Sequence, residues 1–196
     1  MSRKVPQKTQ SKSTEFQPRD FFQTPNYATK LLLPYIPNRF SIVWECASGF
    51  GKISTVLEEC PKKYSVFCSD IIDKGYTDEV KSFLEYNSCP DGIDVDCIIT
   101  NPPFSLKDDF VKHAIDLDIP FAFLIPFAMT KWMSIAFQSG CQGLVPDSRI
   151  NYITPTGLTE DTGHSSYFHS FWLTYKFNLP SQLTFTTITK EMRKDI

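Results

Sequence analysis

At 196 residues, with 41% hydrophobic side chains, 14% aromatic side chains and 17 Phe, the chain has the length and apolar content of one globular domain with a sizeable core. A net charge of −2 argues against a strongly basic coat for nucleic acid but leaves a localised patch open. No signal-peptide pattern opens the chain and no apolar run is long enough to span a bilayer, so a cytoplasmic protein with no membrane partner is expected.

Residues 1–19, MSRKVPQKTQSKSTEFQPR, hold five basic residues against one acid, Glu15, so residues 20–196 are left with a net charge of −6. Ser, Thr, Gln and Lys dominate this stretch. It reads as a disordered basic tail, either a tethered arm for phosphate contacts or a solvated end with no task. The remainder, 20–196, reads as a single domain without an internal repeat.

In TPNYATKLLLPYI, Tyr27, Ala28, Leu31 and Leu32 fall at helical spacing, and Pro25 marks the entry of the helix. SIVWECASGFGKISTVLEEC gives a strand from Ile42 to Glu45, a turn of small residues, and a helix from about Lys52 to Glu59. YSVFCSDI is a second strand ending at Ser69-Asp70, and TDEVKSFLEY a helix or helical turn. VDCIIT is a third main strand, LKDDFVKHAIDL an amphipathic helix with Phe110, Ala114, Ile115 and Leu117 inward, and PFAFLIPF a further strand. A helix containing Trp132 follows, then GLVPDSRINYITP as strand or loop. SFWLTYKF and LTFTTIT close the chain as two strands joined by a short turn, a hairpin. Strands alternating with helices imply an α/β fold, a Rossmann-like, mostly parallel doubly wound sheet to which the C-terminal hairpin adds one antiparallel strand. The six cysteines, Cys46, Cys60, Cys68, Cys89, Cys97 and Cys141, form no CxxC pair and several lie in apolar runs. Reduced thiols are therefore expected, with neither zinc nor a disulfide framework.

Three strand tips carry the residue types of a ligand site, and such sheets bind ligands outside their strand C-termini. In ECASGFG, Glu45 ends a strand and Gly49 and Gly51 open the turn before a helix; the glycines suit either a bound ligand or mere close packing. The third glycine of a dinucleotide turn is missing. Asp70 follows Gly51 at an interval that suits a carboxylate on ribose hydroxyls, and equally a strand-end acid that braces a loop. The run Cys97–Ile99 stops at Asn101-Pro102-Pro103-Phe104. Prolines donate no backbone hydrogen bond and fix φ, so the strand cannot continue and the tip is stiff.

Taken together, WECASGFG, CSDI and TNPPF resemble motifs I, II and IV of the class I S-adenosylmethionine-dependent amino-methyltransferases, especially the N6-adenine DNA methyltransferases. FFQTPNYAT resembles the motif that precedes motif I there. The likeness runs over most of residues 21–177. It implies that Glu45, Ala47, Gly49 and Gly51 shape the pocket of S-adenosylmethionine, with Asp70 on the ribose, Ile71 and Phe83 by the adenine, and Thr24 and Pro25 by the methionine carboxylate. It further implies that Asn101 and the Pro102 carbonyl accept hydrogen bonds from the target amine, that Pro103 stiffens the loop, and that Phe104 stacks on the target ring. SSYFHSFWL resembles a later aromatic motif, in which Phe171 or Trp172 would form a second wall for the base; core packing is the alternative for each ring, Tyr167 and Phe168 included. Arg149 is a candidate phosphate contact. His113, His164 and His169 show no pattern of nucleophilic or metal catalysis, and no metal is expected.

Two features depart from the resemblance. KSFLEY has Ser82 where many relatives place an acid on the cofactor's adenine amine. No room is found for a separate target-recognition domain, so either loops around 76–92 and 154–168 plus the basic tail supply recognition, or specificity is low, or a partner subunit supplies it. The compact form is similar to phage and mobile-element enzymes. The resemblance implies methyl transfer to adenine in DNA, with RNA adenine as the nearest alternative and protein glutamine a more distant one. A catalytically inert nucleic-acid-binding subunit and a homodimer also stay open.

Overall fold

Short apolar strand runs, separated by turns and amphipathic helices, assemble here into one sheet. The structure, a computed structural model, describes residues 22–128, 130–154, 157–158 and 168–196. The basic tail, Tyr167, His164 and most of the 154–168 loop lie outside them. The chain enters through α1 (Asn26–Leu32), with Pro25 extended just before the first turn, where its missing N–H costs nothing. β1 (Ile42–Glu45), α2 (Lys52–Glu59), β2 (Ser65–Asp70) and the short β3 (Glu79–Val80) follow. Next come β4 (Cys97–Thr100), α3 (Lys107–Asp116), β5 (Phe121–Pro126), α4 (Lys131–Gln138) and β6 (Gln142–Pro146). β7 (Ile153–Thr154) and β8 (Gly157–Leu158) form a separate ribbon, and β9 (Ser170–Tyr175) and β10 (Leu183–Thr186) close the chain.

The main sheet has the order β10-β6-β9-β5-β4-β1-β2-β3, and every neighbouring pair is parallel except the two that involve β9. The chain first winds outward from β1 to β3 and then returns to β4 on the other side of β1. The sheet therefore has its switch point between β1 and β4, where open α/β sheets leave a crevice at their strand C-termini. Glu45 and Asn101 lie at the two tips that flank it.

Alternate residues of each strand go to opposite faces. Val43, Ile99, Ala122, Leu124 and Trp172 pack with α1 and α2 in one core. Trp44, Ile98, Phe121, Phe123, Ile125 and Phe171 pack with α3 and α4 in the other. Each such large side chain contributes about 1.5–3 kcal/mol by leaving water.

Three expectations need correction in whole or in part. In TDEVKSFLEY the helical turn holds, as the single 3-10 turn Phe83–Glu85, but the residues before it are strand, with Asp70 paired to Val80 in β3. The Ser82 hydroxyl accepts from the Leu84 N–H at 3.3 Å and so starts that turn, while the β2 edge has already claimed the preceding backbone, with Lys81 N–H donating to the Asp70 carbonyl at 2.9 Å. The closing strands do not form a hairpin. β9 is the expected antiparallel strand, but it lies between β5 and β6, whereas β10 pairs parallel with β6 on its far side. Residues 170–174 are buried, so β9 needs a neighbour on each edge. The connection is clamped as it passes the start of β6: Gln142 donates to the Leu179 and Ser181 carbonyls and accepts from the Leu179 N–H. On α3, Phe110 and Ala114 are buried as expected; Val111 joins them, and Ile115 and Leu117 are half-buried.

Candidate functional site

The turn after β1 is shaped by what surrounds it. Gly51 has φ +69°, and a Cβ there would stand 2.4 Å from the Tyr76 ring, so both conformation and space select glycine. Gly49 has φ +54° and open space where a Cβ would point. Its N–H donates to Asp70 Oδ2 at 2.8 Å, while Asp70 Oδ1 accepts from the Ile72 N–H at 3.1 Å. Asp70 thus ties the β1 and β2 loops together while remaining in the wall of the crevice.

A hollow of about 910 Å³, counted with its open mouth, spans the switch point. Thr24, Glu45, Ala47, Gly49, Asp70, Ile71, Ser82, Phe83, Asn101 and Pro103 all line it. Pro25, Gly51, Pro102 and Phe104 stand next in sequence to lining residues without forming the wall themselves. The fold therefore joins the glycine turn and the Asn-Pro-Pro loop through a single space.

Asn101 is the chemically informative member of the wall. Its Nδ2 donates to the Phe22 carbonyl at 3.3 Å, which leaves the amide oxygen as the other end. That oxygen is buried and has no hydrogen-bond partner among the described residues. A buried acceptor without a donor costs about 1–3 kcal/mol, so its retention calls for a reason. A ligand that brings a donor to it would satisfy it.

Phe104 does not present an open face. It is 8% exposed and sits edge-on to Phe168, Tyr152 and Phe22, with ring centroids 5.2, 5.8 and 6.3 Å away. Phe22, whose carbonyl accepts from Asn101, is among the aromatic residues that line the hollow, and its ring stacks on Tyr152 with centroids 5.8 Å apart. Sequence reasoning missed Phe22 although it belongs to FFQTPNYAT, the same stretch that supplied Thr24 and Pro25. It also missed Phe50, Lys52, Lys74, Leu106 and Phe110, which complete much of the wall.

Phe171 and Trp172 are corrected outright as a wall for a base. Both are fully buried within β9, one on each face of the sheet. Phe171 packs edge-on to Phe127 at 4.9 Å, and the Trp172 indole N–H donates to the Ala28 carbonyl at 2.9 Å. Arg149 is likewise not brought to the hollow. It follows β6, which β9 and β5 separate from β4, and its carbonyl accepts from Arg193 at 3.1 Å. His113 lies against the Phe83 ring at 4.9 Å, as a helix-face residue would. Among the described residues no three metal-binding side chains cluster and no helix is long and apolar enough to cross a membrane.

Glu45 is 2% exposed, with Oε2 accepting from the Ser54 N–H at 2.9 Å. Burial pushes its carboxyl well above the ordinary range; the bonds from Ser54 oppose this, and the negative charges of Asp70 and Glu58 add to it. A carboxyl raised in the folded state contributes fully below its unfolded pKa, and that contribution is lost as pH rises towards the folded value. Glu45→Gln, which keeps an acceptor for Ser54, is therefore expected to match the native melting temperature near pH 4 and to exceed it increasingly as pH rises towards the folded value. The gain is roughly 1.4 kcal/mol per pH unit while the native carboxyl stays protonated. Melting curves across that range test it; a variant that loses ground as pH rises would show that Glu45 is ionised in the empty chain.

No family model matches this chain, and no curated protein matches it in sequence. Solved structures do. The methyltransferase subunit of a type I restriction-modification system from Streptococcus thermophilus superposes with a TM-score of 0.52 at 12% identity, over 92% of this chain and 50% of that one. This chain thus spans half the length of that subunit. Precorrin-6y C5,15-methyltransferase from Geobacter metallireducens matches with a TM-score of 0.42 at 11% identity over 82% of this chain and 98% of that one. A SAM-dependent O-methyltransferase from Thermotoga maritima matches with 0.44 at 13% over 76% and 64%. The fold is Rossmann-like and mixed α/β, of the kind found in S-adenosylmethionine-dependent methyltransferases.

Proposed function

We propose that the chain transfers a methyl group from S-adenosylmethionine to the exocyclic N6 amine of an adenine in DNA. The observation that carries this reading is the buried, partnerless Asn101 amide oxygen in a hollow shared with the glycine turn. The wall of the hollow combines aromatic and aliphatic side chains with polar and charged groups that converge on one space, as small-molecule sites do. The open space at Gly49 admits close approach of a ligand to backbone, and the buried carboxyl of Glu45 suits a cationic one. These features fit the cofactor, with Thr24, Glu45, Ala47, Gly49, Asp70, Ile71 and Phe83 as the residues to hold it.

The bound cofactor supplies a methyl carbon made electrophilic by its sulfonium. The chain must then supply alignment. Adenine's amine is a poor nucleophile because its lone pair is delocalised into the ring. Oδ1 of Asn101, which lines the hollow, would accept one of its N–H groups, and the Pro102 carbonyl would accept the other only if the loop turns it into the hollow; drawing the hydrogens from the ring plane returns the lone pair to nitrogen. Two consecutive prolines stiffen the loop that carries Asn101, which would hold the amine in place for the methyl donor. Once the methyl is transferred, the nitrogen gives up one proton, first held at the acceptors and then lost to water. The base must be unpaired or flipped to reach Asn101.

The reading is tested by incubating the chain with S-adenosylmethionine and mixed DNA and RNA, digesting the products and separating the nucleosides by mass. N6-methyldeoxyadenosine is the expected product. The ribonucleoside alone would move the substrate to RNA, and no methylated base in either pool would overturn the assignment.

A further inference from the structure

Among the described residues Glu45 is the only buried acidic or basic side chain. It lines the hollow from the tip of β1 and accepts from the Ser54 N–H. Cys46 follows it in the turn after β1, with Ser54 and Glu58 on α2, and Cys68 and Asp70 on β2. Burial holds both thiols in their neutral form. The charges that act on Glu45 are those of Asp70 and Glu58, and both are negative. Lys52 and Lys74 line the same hollow, but Lys74 places its ammonium over the Phe50 ring at 4.8 Å. An enclosed carboxylate facing other acids is costly, and retaining its proton removes the cost. A cation brought into the hollow reverses the balance.

Resting on the reading of this hollow as the cofactor site, we propose that cofactor binding is coupled to the ionisation of Glu45: the carboxyl is neutral in the empty chain and gives its proton to solvent as the cationic ligand enters. The balance is one carboxylic acid and one cation going to an ion pair and a released proton. It follows that affinity for S-adenosylmethionine rises with pH across the range in which empty Glu45 is protonated, by up to about tenfold per pH unit. The demethylated product lacks the sulfonium charge, holds the ionised carboxylate less firmly and leaves more readily.

Calorimetry tests this directly. The full chain is titrated with S-adenosylmethionine at pH 6.5 in phosphate and in Tris, whose ionisation enthalpies differ. The difference in observed heat gives the protons released; a net release, at most about one per ligand, is expected, falling as the titration is repeated at higher pH. Glu45→Gln is expected to bind with no proton released and with affinity independent of pH. Binding by the native chain without proton release, or an equal release by the Gln variant, would overturn the coupling and leave the cofactor reading intact. Absence of any binding heat at several temperatures would instead overturn the cofactor reading, and the coupling with it. Should the variant fail to fold, the native chain decides alone: release must fall as pH rises and Glu45 ionises beforehand.

Discussion

Asn101→Ala is expected to lower methyl transfer by about 100- to 1,000-fold while cofactor affinity and melting temperature stay close to native. The magnitude is that of removing one preorganised hydrogen-bonding group aimed at a reacting atom in a water-poor site. The side chain makes one internal hydrogen bond, at 3.3 Å to the Phe22 carbonyl, and its oxygen makes none among the described residues, so little stability is lost with it. Single-turnover rates with labelled cofactor, read beside calorimetric affinity, separate the two effects. A variant that transfers methyl at the native rate would remove Asn101 from the chemistry. One that binds cofactor far more weakly would place it in the wrong half of the hollow.

Trp172→Ala is expected to act on the fold rather than on the substrate. The indole is fully buried in the face that packs against α1, and its N–H holds the Ala28 carbonyl at 2.9 Å. Removing a buried Trp costs about 3–5 kcal/mol, against a total stability of about 5–15 kcal/mol for a domain. A melting temperature lower by roughly 10 °C or more is expected. Trp172→Phe keeps most of the apolar surface and loses the single hydrogen bond, for a cost of about 1–2 kcal/mol. A raised KM for nucleic acid at unchanged melting temperature would contradict this placement and restore Trp172 to a substrate wall.

The fold was largely legible because its signals are local. Apolar runs bounded by Gly, Pro and Asp gave β1, α2, β2, β4 and β5 close to their observed limits, and strand–helix alternation gave the parallel sheet. Pairing between distant strands was not legible. Nothing in SFWLTYKF states that β9 will insert between β5 and β6, because that depends on both of its edges finding partners. The short β3 escaped for a related reason: Glu79–Val80 is strand only by virtue of Asp70 beside it, and its own residues favour no state. At the site, residues carried on strand tips could be read from spacing, since the sheet brings all tips to one crevice. Side-chain direction could not. Phe171 and Trp172 point into the two cores because β9 is buried on both faces, and Phe104 turns into an aromatic cluster whose other members, Phe22, Tyr152 and Phe168, come from widely separated parts of the sequence.

A crystal structure of the chain with S-adenosylhomocysteine addresses the arrangement itself. The account predicts the nucleoside between Gly49 and Asp70, the amino-acid end by Thr24 and Glu45, and the sulfur directed at Asn101 Oδ1 across the hollow. Ligand bound elsewhere, or bound in the hollow with its sulfur turned from Asn101, would contradict it.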